Sequence, residues 1–245
     1  MSAEVLVIRC GLVSYDEALV VQRWLRDARQ EGEIPDTLLL LEHQPVYTRG
    51  RRSSAGELPM AAEWYATHGI EVRDTDRGGR VTYHGPGQLV AYPIVDLRPY
   101  GDDVHEYVRR LERVAISSLG EYGVEAGAIE GLTGVWTTGE RPGSGNGSRE
   151  ARKIGSIGVH VNRGVTTHGF AVNVNNDLQP FEWVVPCGIE GVRMTSLCRE
   201  LGSEQPMDAY ENVVAEGFGE IYGREPVPTE PEALAVLLGE PASVR

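Results

Sequence analysis

Lysine is almost missing from this chain. One lysine, Lys153, stands against 22 arginines in 245 residues. Cysteine is nearly as scarce: Cys10, Cys187 and Cys198 form an odd set with no CxxC pair. That argues against a disulfide framework or a structural zinc, and for a reducing compartment with free thiols; cytoplasm is the expectation. No stretch approaches the roughly 20 apolar residues that span a bilayer. The opening MSAEVLVIRC lacks the charged and apolar regions of a secretory leader. Excess positive charge is missing too. The net charge is −13, which speaks against a nucleic-acid partner.

The acidity is uneven. Residues 200–245 hold ten acidic side chains and two arginines, a net −8, leaving −5 for residues 1–199. Within that larger part the arginines cluster: Arg49, Arg51 and Arg52 in TRGRR, then Arg73, Arg77 and Arg80, then Arg149 and Arg152. These clusters leave room for a basic patch that faces an acidic partner. Apolar content of 41% and charged content of 24% are those of a soluble globular chain.

Apolar periodicity assigns the elements. EVLVIRCGLV reads as a first strand. A helix follows, with a capping box from Ser14 to Glu17 and an inner face of Ala18, Val21, Leu25 and Ala28. TLLLLEH reads as a buried strand leading into the loop QPVYTRGRRSSAG. AAEWYATHG predicts a short helix and IEVRD a strand. GRVTYH and LVAYPIVDL read as strands paired around the turn GPGQ, with Pro93 placing a bulge or an edge in the second. Residues 102–123 predict a second long helix with Val104, Val108, Leu111 and Ala115 inward. VEAGAIE, GVWTT, KIGSIGVHV and THGFAVNV are four further strands, with a flexible surface loop, GERPGSGNGSREAR, before the third. A last helix spans 207–222, with Val213, Val214, Phe218 and Ile221 inward. Strands outnumber helices without regular alternation, so the expected fold is α+β: a mixed β-sheet core flanked by helices. Residues 1–222 are expected to form one catalytic domain and 223–245 an acidic, Pro-rich tail.

Two residues draw chemical attention. Cys187 sits between a proline and a glycine in VPCGIEG, whereas Cys10 and Cys198 sit in segments better read as packing. A loop thiol beside Gly188 is open to substrate. Arg cannot release its proton near neutral pH, whereas a desolvated Lys can. A Cys187/Lys153 pair would use both properties, with the lysine favouring the thiolate and accepting its proton. The residues are 34 apart, so any contact must come from the fold. In RGGRVTYHGPGQ, Gly78 and Gly79 permit close backbone approach to a ligand, and Tyr83 and His84 supply polar groups. His160 and His168 have no metal-like spacing, so neither a metal nor a cofactor is expected.

RGGRVTYHGPGQLVAYPI, ARKIGSIGVHVNRGVTTHGFAVNVN and FEWVVPCGIEG together resemble the octanoyltransferase family of lipoate biosynthesis, and LLLEHQPVYTRGR resembles that family's early strand and loop. The likeness runs from about residue 37 to residue 197. Residues 139–150 and the C-terminal tail depart from it. It implies the fold of biotin and lipoate ligase catalytic domains, and transfer of an octanoyl group from acyl carrier protein to a lysine of a lipoyl domain. The acceptors implied are the lipoyl domains of 2-oxoacid dehydrogenase complexes and the glycine cleavage H protein. By the same resemblance Cys187 is the acyl-thioester nucleophile and Lys153 its acid/base. Arg77, Gly78, Gly79, Arg80, Val81, Thr82, Tyr83 and His84 form a first substrate-binding segment. Ser156, Ile157 and Gly158 form a second, and Gly169, Phe170 and Ala171 a third.

Three other readings stay open. An ATP-dependent ligase on the same fold would have no need of Cys187. A non-catalytic carrier-protein binding module would not be acylated. A cysteine hydrolase using Cys187 with His84 or His168 would release free fatty acid.

Overall fold

The computed structural model describes residues 4–140, 150–184 and 192–231. Most of the surface loop expected before KIGSIG, the nucleophile candidate Cys187 and the end of the tail lie outside the described residues.

An eight-stranded mixed sheet and a three-stranded sheet organise the chain. The large sheet contains β1 (Glu4–Val13), β2 (Asp36–His43), β6 (Gln88–Ile94), β7 (Ala126–Ile129), β8 (Leu132–Thr137), β9 (Lys153–Asn162), β10 (Val165–Asn173) and β11 (Glu225–Pro228). Its order is β11-β1-β2-β6-β10-β9-β8-β7. β1 runs parallel to β2 and β11, and the remaining pairs are antiparallel. Because β11 pairs with β1, the sheet extends past position 222 into the stretch read as a tail. The small sheet is β4 (Glu71–Asp74), β3 (Val46–Arg49) and β5 (Thr82–His84), in that order.

Alternation along the central strands explains the layers. Val5, Val7, Leu38, Leu40, Leu89 and Ala91 pack on one face with helices α3 (Val104–Gly120) and α5 (Met207–Tyr222); the short helices are α2 (Ala62–Thr67) and α4 (Leu197–Leu201). Their neighbours Leu6, Ile8, Leu39, Leu41, Val90 and Tyr92 pack on the other face with α1 (Tyr15–Glu31). Four consecutive leucines in β2 therefore serve two cores, as a strand covered on both sides requires. The capping box expected for α1 is formed: Ser14 N donates to Glu17 Oε2 at 3.1 Å, and Ser14 Oγ accepts from Glu17 N at 3.3 Å. It starts the helix at Tyr15, whose ring is buried.

Four expectations are corrected. GRVTYH and LVAYPIVDL do not pair with each other: β5 pairs with β3 in the small sheet, while β6 lies between β2 and β10. The loop expected at 44–56 contains strand β3. Val104 is 39% exposed because it is the first residue of α3, before the helix meets the core, which Tyr107, Leu111, Val114 and Ala115 reach instead. Pro93 stands in an interior strand rather than an edge. Its missing N–H falls where the β6–β10 ladder lapses, between the Ala91–Phe170 and Asp96–Val165 pairs. There His168 has left-handed backbone (φ 57°) and Thr166 Oγ1 donates to the Pro93 carbonyl at 2.7 Å.

Candidate active site

A cavity of about 1020 Å³ is bounded by the RGG loop, the N-terminal half of α3, the β7–β8 hairpin and the strands β9 and β10. Arg77, Gly78, Gly79, Arg80, Val81, Thr82 and His84 line it, as do Lys153, Ser156, Ile157, Gly158, Gly169, Phe170 and Ala171. Three blocks separated by up to 94 positions thus meet at one space. Tyr83 does not line it. The period of two along β5 turns Tyr83 to the opposite side, where it packs on Tyr47 and Phe181, each with ring centroids 5.5 Å away.

The RGG loop is fixed from both sides. Arg77 is buried, and its guanidinium donates to the Thr48 carbonyl at 2.6 Å and to Thr48 Oγ1 from Nε at 3.0 Å. Arg51 N and Arg52 N donate to the carbonyls of Arg77 and Gly79, each at 3.0 Å, so TRGRR and RGG are laced together. Gly78 N donates to the Val159 carbonyl of β9 at 2.8 Å. That approach requires Gly158, since a Cβ there would lie 2.8 Å from the Gly78 oxygen. Arg80 pairs with the buried carboxylate of Glu57. Burial pushes that carboxyl up, but hydrogen bonds from Arg80, Val81 N and Ser54 outweigh it and hold the group below its ordinary range.

Lys153 opens β9 and is only 5% exposed. Its Nζ donates to the Thr133 carbonyl at 3.2 Å and lies 5.4 Å from the centre of the Trp136 ring. Its backbone is held by residues that follow Cys187 in the chain: Lys153 N donates to the Arg193 carbonyl at 2.8 Å, and Thr195 N donates to the Lys153 carbonyl at 2.9 Å. Before Cys187 in the chain, Val184 is buried in the small-sheet core.

Sequence reasoning missed an aromatic and imidazole cluster beside the RGG loop. Tyr15, His84, Tyr92 and His168 all line the cavity, with His43 behind them. The Tyr15 and His84 rings stack at 6.5 Å, and His43 bonds the Tyr92 hydroxyl at 2.7 Å. Burial lowers all three imidazoles, His43 to about 4, and keeps them neutral near pH 7. His168 Nε2 lies 2.8 Å from Asp76 Oδ1. That hydrogen bond holds the Asp76 carboxyl far below its ordinary value, so the imidazole donates Nε2–H to a carboxylate. A signal for the cluster existed in the alternation of YHGPGQLVAY, which puts His84 and Tyr92 on cavity-facing strand positions. The left-handed backbone of His168 had none. Among the described residues no group of three or more His, Cys, Asp or Glu could hold a metal ion. Among them, too, no helix is long and apolar enough to cross a membrane.

Such a sheet, with its cavity between a glycine loop and a strand-borne lysine, defines a catalytic domain of the lipoate and biotin ligase type. Similar folds are a bipartite lipoate protein ligase from Thermoplasma acidophilum (TM-score 0.69, 16% identical, 98% of this chain and 91% of that one) and a lipoate-protein ligase A bound with ATP (TM-score 0.68, 16% identical, 98% and 94%). A biotin protein ligase from Aquifex aeolicus is more distant (TM-score 0.51, 14% identical, 88% and 69%). Residues 14–219 match the lipoyl protein ligase A/B catalytic domain, and the chain belongs to that family. Among its curated relatives, proteins named octanoyltransferase are 43% identical in Acidobacterium capsulatum (89% of this chain, 90% of that one), 47% in Rubrobacter xylanophilus (87% and 91%) and 46% in Mycobacterium leprae (87% and 86%).

Proposed function

We propose that this protein is a cytoplasmic octanoyltransferase of lipoate biosynthesis, moving an octanoyl group from acyl carrier protein through a Cys187 thioester to the lysine of a lipoyl domain. The observation that carries this reading is the identity to octanoyltransferases over nearly the whole chain, together with the sole lysine buried in the cavity. Fold likeness alone would suit an ATP-dependent ligase equally well.

Neutral Lys153 takes the Cys187 thiol proton, and the thiolate attacks the carbonyl of the octanoyl thioester. The tetrahedral intermediate expels the carrier's thiolate, which recovers the proton from Lys153. Thiol–thioester exchange is nearly balanced in energy, so the covalent intermediate divides the transfer into two accessible steps. In the second step the acceptor amine attacks the Cys187 thioester, an amide forms, and the thiolate leaves with the amine proton passing to Lys153. Backbone N–H groups of the glycine segments would stabilise each oxyanion, at about 3 kcal/mol per donor.

Among the residues that line the cavity, Val90, Val108, Ile157, Val159, Phe170 and Ala171 offer the acyl chain apolar surface. Burying seven carbons of octanoate there contributes about 6 kcal/mol at roughly 0.8 kcal/mol per methylene. Arg52 lines the cavity, with Arg51 exposed beside it and Arg109 on α3. This rim suits the acidic surface of a carrier protein. The test is transfer of octanoate to a purified lipoyl domain without nucleotide, abolished by Cys187→Ala. Transfer that requires ATP and survives Cys187→Ala would make the protein a ligase instead.

A further inference from the structure

His84 ends β5 and is 6% exposed, and its ring lines the cavity. Its Nδ1 lies 2.7 Å from Gln88 Oε1. Which ring nitrogen carries the proton follows from the groups beyond. Gln88 Nε2 donates to the Tyr83 carbonyl at 3.2 Å and to Asn173 Oδ1 at 2.9 Å. A carbonyl can only accept, so the Gln88 amide must turn its NH2 toward Tyr83 and its oxygen toward His84. The far end agrees. Asn173 Nδ2 donates to the Thr195 carbonyl at 2.9 Å, which leaves Oδ1 to accept from Gln88 and from Asn176 Nδ2 at 3.2 Å. Two backbone carbonyls, at Tyr83 and Thr195, therefore leave one orientation for both amides. Gln88 Oε1 has no hydrogen, so His84 Nδ1 donates, and in a neutral imidazole Nε2 then carries the lone pair.

We propose that Gln88 and Asn173 are positioning residues that hold His84 in the Nδ1–H tautomer, so that its Nε2 lone pair accepts a hydrogen bond from the N–H of the attacking amine. This rests on the acyl-transfer reading, which brings an amine into the cavity. His84 orients the amine lone pair toward the thioester carbonyl and takes no proton itself. Tyr15 of α1 stacks on the ring and His43 of β2 meets it edge-on. Burial keeps the imidazole uncharged, with His43, Arg77 and His168 adding to it and outweighing the Gln88 hydrogen bond, which favours the charged form. Asn173 serves both halves of the site. It fastens Thr195, whose N–H holds the Lys153 carbonyl, as well as the glutamine that orients His84.

The test is ¹⁵N imidazole NMR on the full chain without substrate, followed by separate measurement of octanoyl loading and of discharge to a lipoyl domain. The expected spectrum of the native protein has a protonated Nδ1 and an unprotonated Nε2 at His84. Gln88→Leu should shift His84 toward Nε2–H and slow discharge by at least about tenfold more than loading, since one lost hydrogen bond is worth about a factor of ten. Gln88→Glu keeps an acceptor oxygen on His84 Nδ1, so Nδ1 stays protonated, while it loses the N–H groups donated to the Tyr83 carbonyl and Asn173 Oδ1. Its carboxylate favours the imidazolium and should add an acid limb to the pH profile of discharge. An Nε2–H signature in the native protein would overturn the proposal, even if the leucine variant fails to fold. So would a folded Gln88→Leu whose two half-reactions slow equally. Failure of the native protein to load octanoate would instead remove the transferase reading, and with it the amine, while the spectrum still decides the tautomer.

Discussion

Gly134→Ala tests how tightly the Lys153 side chain is held. Gly134 lies in β8 with φ of 128°, a region that L side chains rarely adopt. A Cβ there would sit 2.7 Å from Lys153 Cε and 2.7 Å from the Gly155 carbonyl oxygen. The carbonyl cannot move away easily, because β9 is paired with β10 along nearly its whole length. Strained backbone costs about 1–3 kcal/mol and overpacking a similar amount, so a loss of about 3 kcal/mol is expected. At about 2–4 °C per kcal/mol for a domain of this size, Tm should fall by roughly 6–12 °C. The easier relief is displacement of the lysine, which would move Nζ from the Thr133 carbonyl. Misplacing a reacting group by about 1 Å can cost about a hundredfold in kcat. Urea unfolding and octanoyl transfer, measured on the same preparation, check both numbers. A variant within about 0.5 kcal/mol of the native protein and fully active would refute the packing argument.

Lys153→Arg should keep the fold and lose at least about a hundredfold in transfer rate, because arginine preserves the charge but cannot serve as the base; near-native kcat would contradict that role. Arg51→Glu with Arg52→Glu should raise KM for the octanoyl carrier with little change in kcat, and an unchanged KM would remove the docking surface. The buried imidazoles also set a pH dependence. Their folded pKa values lie below the unfolded value near 6.5, so their contribution is present above that value and lost as pH falls toward the folded pKa. For His43, lowered to about 4, the loss at pH 5 is about 2 kcal/mol, with His84 and His168 acting in the same direction. Denaturant unfolding at pH 7 and pH 5 measures it, and equal stabilities would contradict neutral burial.

Much of the architecture could be read from local pattern. The capping box placed the start of α1, and the four leucines of β2 announced a strand covered on both faces. Pairing was harder. β5 and β6 flank a turn sequence that suits a hairpin, yet they belong to different sheets, because β3 competes for β5 from nearly forty positions earlier. No local property of either strand records that competition. The site divides in the same way. The motif blocks converge on the cavity, but Tyr83 is turned away from it by strand alternation that was visible in the sequence. The Gln88–Asn173 contact spans 85 positions and depends on β6 lying beside β10, so the residues that orient His84 emerge only once the sheet is assembled.

The central claim is covalent: octanoate rests on Cys187 between donor and acceptor. Intact-protein mass spectrometry after mixing with octanoyl-acyl carrier protein, without nucleotide, measures this directly. The expected result is a single octanoyl adduct that hydroxylamine removes, that peptide mapping places on Cys187, and that a lipoyl domain discharges. Octanoylation of the lipoyl domain with no adduct on the enzyme at any time, or an adduct that persists in Cys187→Ala, would contradict the account.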